Sequence, residues 1–171
     1  MPSASAPADP KEWLGRTFDA GPGEAQVESG FVQHWLEATE NANPLYWNPA
    51  VAEAVTGGPV APPSMLSVWM RPLTWHPDRA APRRPLELHF QLKEAFGLPE
   101  GIVKGVDMAF GEPVRPGDRI GTSERVEMIG DERSTRLGKG REWVVAVTYR
   151  NQQGDVVGVE TYRMFAYRRA A

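Results

Sequence analysis

The stretch "EWVVAVTYRNQQGDVVGVETYRMFAYR", residues 142–168, decides the fold of this 171-residue chain. Both halves are rich in valine, threonine and aromatic residues, which favour β-strands. Between them lies "NQQG", residues 151–154, a short polar segment that ends in glycine and is typical of a hairpin loop. The stretch therefore predicts two long antiparallel strands near the C-terminal end of the chain.

Further strands are predicted upstream of this hairpin. The turn "PVRPGD", residues 113–118, separates "IVKGVDMAF" (102–110) from "RIGTSERVEMI" (119–129), and both runs have strand character. The segment "LELHFQL" (86–92) alternates weakly and is also assigned to a strand, and "EAQVES" (24–29) is a possible short strand. A polar loop is expected at 130–141.

The first half of the chain has helical patterns. Apolar residues recur at helical spacing from residue 31 to residue 39, with Ser29 as the expected N-cap, and Pro44 requires this helix to stop near Asn41. A short helix restarts at Pro49, capped by Asn48, and Gly57 and Gly58 end it. The run "VAPPSMLSVWMRPL" (60–73) predicts a largely buried helix. Helices followed by antiparallel strands indicate an α+β fold with one sheet packed on an apolar helix.

The composition limits the class of protein. The chain has no cysteine, which excludes disulfides and thiolate metal sites and fits a cytoplasmic location. A net charge of −3 argues against a broad nucleic-acid surface, and no apolar run is long enough to span a membrane. Residues 1–10 have the composition of a disordered tail without a signal peptide, which leaves 11–171 as a single domain.

Four segments carry a resemblance to a known family: "VESGFVQHWLEATENANPLYW", "GGPVAPPSML", "PVRPGDRI" and "YRNQQGDVVGVETY". In this order they resemble the MaoC-like dehydratase group of hotdog folds, and more closely its non-catalytic, N-terminal-type domain. The resemblance covers roughly residues 12–168. It implies a curled antiparallel sheet wrapped around one long helix that includes residues 64–70. It also implies that two hotdogs pair side by side.

Active members of this group hydrate a 2-enoyl thioester or run the reverse dehydration, with a motif resembling D-x-N-P-[LI]-H. Alignment on Asn43-Pro44-Leu45 puts Asn41 at the aspartate position and Tyr46 at the histidine position. An amide has no useful basicity, and tyrosine, with a pKa of about 10, is a poor base at neutral pH. The resemblance therefore implies that both catalytic positions are degenerate and that a second, catalytic MaoC-like subunit supplies the aspartate and histidine.

The resemblance also assigns a thioester-binding role to the start of the central helix. Family enzymes stabilise the thioester oxygen with backbone N–H groups at that point. Pro62 and Pro63 have no N–H to donate, so Ser64 and Met65 are the candidate donors. The alternative interpretation is that the two prolines only fix the start of the helix.

A narrower resemblance links "MLSVWMRPLTW", "RLGKGREWVVAVTYRNQQGD" and "VETYRMFAYRR" to the MaoC-like subunit of heteromeric enoyl-CoA hydratases that act on steroid side chains. In those enzymes the non-catalytic domain widens the pocket for a bulky ring system. Trp47, Trp69, Met70 and Trp75 suit such an apolar ligand, with Asn43 beside them. Each of the four large residues also fits a role in the core or at a subunit interface.

Coenzyme A is expected as part of the thioester substrate, and no other cofactor and no metal is expected. Arg79, Arg83 and Arg84 in a proline-rich segment are candidates for its phosphates, and the alternative interpretation, which the composition favours, is a solvated charged loop. His34, His76 and His89 have no spacing typical of a metal site or a catalytic pair.

Three other functions compete with the heteromeric hydratase. A hotdog thioesterase needs a carboxylate on the central helix, and "SMLSVWMRPL" offers none. A homodimeric acyl-CoA-binding protein without hydratase activity remains open. So does a hydratase that uses atypical residues.

Overall fold

The computed structural model describes residues 9–71, 75, 77–78 and 84–169. The described chain forms one six-stranded antiparallel sheet in the order β1-β3-β5-β6-β2, with β4 paired to β5. This architecture confirms the predicted α+β class. The strands are β1 Thr17–Pro22, β2 Glu100–Phe110, β3 Gly121–Ile129, β4 Arg133–Thr135, β5 Gly138–Arg150 and β6 Val156–Arg168.

The predicted C-terminal hairpin is the centre of this sheet. Strands β5 and β6 pair along their length, with Trp143 opposite Met164 and Val147 opposite Glu160. Alternate residues of β5 are fully buried, from Trp143 to Tyr149, so one face of the hairpin covers the core. The loop predicted at 130–141 is shorter in the structure, because it contains the short strand β4 and because β5 already begins at Gly138.

The described residues contain four α-helices: α1 Ser29–Ala38, α2 Pro44–Trp47, α3 Pro49–Thr56 and α4 Glu87–Phe96. Helix α1 confirms the predicted helix, but Glu28 is its N-cap and Ser29 its first residue. Helix α3 confirms its caps, because the Asn48 side chain accepts the N–H groups of Ala50 and Val51, and Gly57 ends the helix with φ +65°.

Helix α4 contradicts the strand predicted at 86–92. Leu88 and Leu92, four residues apart, point into the core, and Gly97 ends the helix with a left-handed backbone. The Glu124 carboxylate on β3 accepts the N–H groups of Glu87 and Leu88, each at 2.8 Å. The weak alternation of apolar residues wrongly indicated a strand. The helix depends at its start on Glu124, a residue far away in sequence, which local pattern does not reveal.

The prediction of one long central helix is also wrong. Residues 63–68 form a short 3-10 helix, Pro63–Val68, rather than the start of a long α-helix. This helix packs Met65 and Leu66 onto one core cluster with Val147 and Tyr149, and α4 covers a second cluster around Trp143. Two short helices therefore cover the sheet where one was expected.

The N-terminal segment differs from two predictions. Asp9 caps a 3-10 helix, Pro10–Trp13, so the last two residues assigned to the tail are ordered, while residues 1–8 lie outside the described part. The strand expected at 24–29 is absent from that described segment, and the short edge strand β1 precedes it. Val27 instead bonds through its backbone to Asp118 and Gly117.

The two turn motifs "PVRPGD" and "NQQGD" are joined by side chains. The Asp118 carboxylate accepts the Arg115 backbone N–H at 2.7 Å and the Gln152 amide at 3.0 Å. Gln152 in turn accepts the Arg119 backbone N–H at 2.9 Å. These motifs therefore have a structural role in aligning β3 with the hairpin.

None of the helices in the described part of the chain has the length and apolar character of a membrane span.

Candidate functional site

The Asn-Pro loop between α1 and α2 is built by side-chain to backbone hydrogen bonds. Asn41 Oδ1 accepts the Asn43 N–H at 3.1 Å, and Asn43 Oδ1 accepts the Leu45 N–H at 3.0 Å. The Trp47 indole N–H donates to the Asn41 carbonyl oxygen at 2.7 Å. Asn41, Asn43 and Trp47 therefore shape the loop, and half of the Trp47 surface remains exposed.

Asn41 and Tyr46, the residues aligned with the two catalytic positions of the motif, line different cavities. Tyr46 is half-buried and lines an apolar cavity of about 180 Å³ together with Pro62, Leu66 and Phe110. Asn41 lines a separate, open depression beside Trp47. Burial raises the pKa of Tyr46, so its hydroxyl stays protonated at neutral pH. The arrangement provides no base for the activation of water at either position.

The start of the 3-10 helix offers one backbone donor rather than two. The Met65 N–H donates to the Pro62 carbonyl at 2.9 Å, and the Met65 side chain is buried in the core. Within the described chain, the Ser64 N–H has no backbone acceptor, and Ser64 is exposed next to Pro63, which lines the smaller cavity. Ser64 is therefore the stronger candidate for contact with a thioester.

A larger cavity of about 600 Å³ lies between the β1–β3 edge and the end of the 3-10 helix. Its lining combines the apolar residues Phe18, Met70 and Ile120 with charged ones. The charged residues are Asp19, Glu24, Arg84, Glu87 and Glu124. Met70 therefore lines a cavity, and its role in binding an acyl group stays a prediction. The size of the cavity fits a bulky apolar group.

Two of the predicted tryptophans lie elsewhere. Trp69 is 2% exposed and packs in the core cluster beneath the 3-10 helix. Trp75 is 77% exposed. The structure therefore does not bring Trp47, Trp69, Met70 and Trp75 together into one surface.

Arg84 is the one phosphate candidate among the described residues, since Arg79 and Arg83 lie outside them. It lines the larger cavity but is already bonded to Glu94 at 3.1 Å and to Glu87 at 3.3 Å. The hydrogen bond to Glu94 is the main cause that raises the pKa of Arg84. A phosphate would have to compete with these two carboxylates.

A buried polar cluster on β5 and β6 was missed by the sequence analysis. Glu160 is fully buried, and its Oε2 accepts hydrogen bonds from the hydroxyls of Tyr149 at 2.5 Å and Tyr162 at 2.6 Å. Burial, and then the hydrogen bond to Glu160, raise the pKa of both tyrosines. The sequence did contain one signal. Residues two positions apart on a strand lie on the same face, and the residues two positions from Glu160 face the core, so the Glu160 side chain must face it too.

The exposed strand β2 is an edge of the sheet. It pairs with β6, and its other side faces no further strand in the described chain. Val106, Met108 and Phe110 face the core side of the sheet and are nevertheless 38%, 44% and 53% exposed. An apolar edge strand of this kind is suited to pairing with another sheet.

His89 has a structural role on α4. Its Nδ1 accepts the Trp143 indole N–H at 3.1 Å, which leaves the hydrogen on Nε2. Burial, with a contribution from the Lys93 charge, lowers the pKa of His89 to about 4. His34 is exposed beside Glu37, and His76 lies outside the described residues.

We expect His89 to make the protein less stable as the pH falls. Because its folded-state pKa lies below its ordinary value of 6.5, the unfolded chain binds the proton first between these limits. At about pH 5 the loss of unfolding free energy is on the order of 1 kcal/mol, allowing for partial exposure. Denaturant unfolding near neutral pH and at about pH 5 measures it. His89→Gln should reduce the pH dependence, whereas an equal reduction in the exposed control His34→Gln would contradict it.

Comparison with known proteins places this geometry in a family. Residues 12–159 match the FAS1-like, dehydratase domain region. The chain is 35% identical over 162 residues to the probable enoyl-CoA hydratase alpha subunit of Thermomonospora curvata, covering 91% of this chain and 50% of that protein. It is 26% identical over 140 residues to the 3-oxo-4,17-pregnadiene-20-carboxyl-CoA hydratase alpha subunit of Mycobacterium tuberculosis, covering 78% and 44%. The chain spans about half the length of these curated relatives.

A solved structure supports the fold. The crystal structure of the ChsH1-ChsH2 complex from Mycobacterium tuberculosis contains a chain that matches with a TM-score of 0.73 at 20% identity, covering 91% of this chain and 85% of that one. The curled antiparallel sheet with short helices on one face is thus a hotdog fold. The predicted resemblance is confirmed, and the chain belongs to the FAS1-like dehydratase family, with a MaoC-like hotdog domain.

Proposed function

We propose that this chain is the non-catalytic, pocket-forming subunit of a heteromeric (R)-type 2-enoyl-CoA hydratase or 3-hydroxyacyl dehydratase. A partner MaoC-like subunit supplies the aspartate and histidine. The observation that carries the proposal is that Asn41 and Tyr46 occupy the two proton-handling positions, lack a basic group and line different cavities. The relatives named as hydratase alpha subunits support a role as one part of a larger enzyme.

The partner is proposed to bind along β2. In the isolated chain, the core-facing side chains of this strand are far more exposed than those of the neighbouring β6 and β5. A second hotdog that continues the sheet would bury them and satisfy the free backbone groups of the edge. The smaller cavity, which Phe110 lines at the end of β2, would then lie close to the partner.

The substrate is proposed to be a bulky, lipid-like acyl-CoA, such as one with a steroid ring system. The larger cavity has the volume for such a group and presents Phe18, Met70 and Ile120 to it, and one relative is named for a steroid carboxyl-CoA. The Ser64 N–H is the proposed contact for the thioester oxygen. Arg79 and Arg83, which lie outside the described residues, remain candidates for the coenzyme A phosphates, whereas Arg84 lines the cavity proposed for the acyl group.

A reconstitution assay tests the proposal. The chain is purified alone and together with a MaoC-like neighbour, and enoyl-CoA hydration is followed by loss of the enoyl thioester absorbance. We expect no hydration by the chain alone and hydration by the mixture. Failure to bind such a neighbour, together with acyl-CoA binding by the chain as a dimer of itself, would favour the homodimeric binding protein instead.

Single substitutions at the degenerate positions are expected to leave hydration by the complex unchanged. Tyr46→Phe removes only the hydroxyl, and Asn41→Asp keeps the Oδ1 acceptor that holds the Asn43 N–H. Loss of a true general acid or base lowers the rate by about 10²–10⁴-fold. The hydration rate of each variant complex, measured at saturating substrate, distinguishes these cases, and a drop of that size in Tyr46→Phe would assign a catalytic role to this chain.

A further inference from the structure

The Glu160 cluster contains an unused hydrogen-bond acceptor. Both tyrosine hydroxyls donate to Oε2, whereas Oε1 is buried and has no hydrogen-bond partner among the described residues. Native proteins rarely leave a buried carboxylate oxygen without a donor. This oxygen therefore indicates a position at which a donor from outside the chain can bind.

The core beneath the 3-10 helix also contains an unused donor. The Trp69 indole N–H is buried without a partner in the described part of the chain. Trp69 belongs to the same core cluster as Tyr149, and Tyr162 packs against that cluster. One unsatisfied acceptor and one unsatisfied donor in the same region suit a hydroxyl group, which both donates and accepts.

Met70 separates this region from the larger cavity. Its sulfur lies 2.7 Å from the Tyr149 hydroxyl, and its side chain lines the cavity. Thr122, the cross-strand neighbour of Tyr149, lines the same cavity. The polar cluster therefore lies directly behind the cavity wall that Met70 forms. Methionine is flexible and adapts to a ligand more readily than a branched side chain.

We propose that Glu160 and Trp69 bind a hydroxyl group at the far end of the acyl chain, which reaches them when Met70 moves aside. This inference rests on the proposed function, because the acyl group must first enter the larger cavity. Glu160 Oε1 accepts the hydroxyl hydrogen, and the Trp69 indole donates to the hydroxyl oxygen. A ketone at the same point can accept from Trp69 but leaves Oε1 unsatisfied. The preferred substrate is thus a hydroxylated, bulky acyl-CoA.

Three matched thioesters test this selectivity: lithocholyl-CoA, the corresponding ketone, and cholanoyl-CoA, which lacks the ring oxygen. Their dissociation constants are measured by calorimetry on the full chain in its native assembly. We expect the hydroxylated thioester to bind about tenfold more tightly than the other two, equivalent to one buried hydrogen bond that only the hydroxyl group donates.

Two variants identify the residue responsible. Glu160→Leu should bind the hydroxylated and unsubstituted thioesters equally. Glu160→Gln can keep its oxygen on the tyrosines and direct its NH₂ group to the ligand, so the ketone should gain affinity relative to the hydroxyl compound. Glu127→Leu, at an exposed position on β3, is the matched control and should keep the wild-type preference. Circular dichroism confirms that each variant is folded, and Glu160→Gln suffices if Glu160→Leu unfolds.

The outcomes separate this inference from the proposed function. Equal wild-type binding of all three thioesters would overturn the hydroxyl site and leave the bulky acyl pocket intact. An unchanged preference in Glu160→Gln would also overturn it, since internal water would then satisfy the carboxylate. Absence of binding by all three would reject the proposed acyl class, and the hydroxyl site with it.

Discussion

Replacement of Val106 and Met108 by lysine is expected to abolish assembly with the proposed catalytic partner, and with it the proposed hydration by the complex. Both side chains lie on the core-facing side of the edge strand β2 and are about two-fifths exposed in the single chain. A partner that continues the sheet would bury both lysines in an apolar contact without a counter-charge, which is strongly unfavourable. We expect affinity for the partner to fall by at least about 100-fold.

Analytical ultracentrifugation of the mixed subunits measures this loss, and circular dichroism of the variant alone checks its fold. Val55→Lys is the matched control, because Val55 is a 67% exposed valine that belongs to α3 and not to the edge strand. The control should assemble normally. Normal assembly of the β2 variant would show that the partner binds a different surface.

Glu124→Leu is expected to lower the free energy of unfolding by roughly 2–4 kcal/mol. The Glu124 carboxylate is 4% exposed and accepts two N–H groups at the start of α4. Leucine would leave both donors without a partner, and α4 would lose the residue that fixes where it begins. Since α4 covers the core cluster around Trp143, the loss should affect global unfolding.

Denaturant unfolding of three variants tests the role of Glu124. Glu124→Gln keeps one acceptor oxygen and should be intermediate, and Glu127→Leu on the exposed side of the same strand should change stability by less than about 0.5 kcal/mol. Equal stability of Glu124→Leu and Glu127→Leu would contradict the assigned capping role.

Local sequence signals were sufficient for part of the fold. The hairpin was predictable because strand-forming residues and a glycine-ended loop are adjacent in sequence. Helix α3 was predictable because Asn48, Pro49 and Gly57 each act on their own neighbours. Helix α4 was not, since Glu124, the residue that caps it, is 37 positions beyond the Glu87 N–H that it accepts.

The candidate site was also only partly predictable from local sequence. The absence of a basic side chain at Asn41 and Tyr46 is visible in the sequence once the Asn-Pro loop is aligned with the family motif. Their exposure to different cavities depends on how α2 packs against Pro62 and Phe110, and local sequence does not contain that information. The Glu160 cluster was hidden because its partners become visible only when the register of β5 and β6 is known.

The source of the catalytic proton is tested most directly by a single-turnover measurement on the assembled complex. In it, the motif aspartate and histidine of the partner subunit are replaced by asparagine and glutamine, while this chain is left unchanged. We expect enoyl-CoA still to bind to this complex and no hydration to follow. Hydration at a rate comparable with that of the unaltered complex would show that this chain performs the proton transfer itself, which would contradict the account.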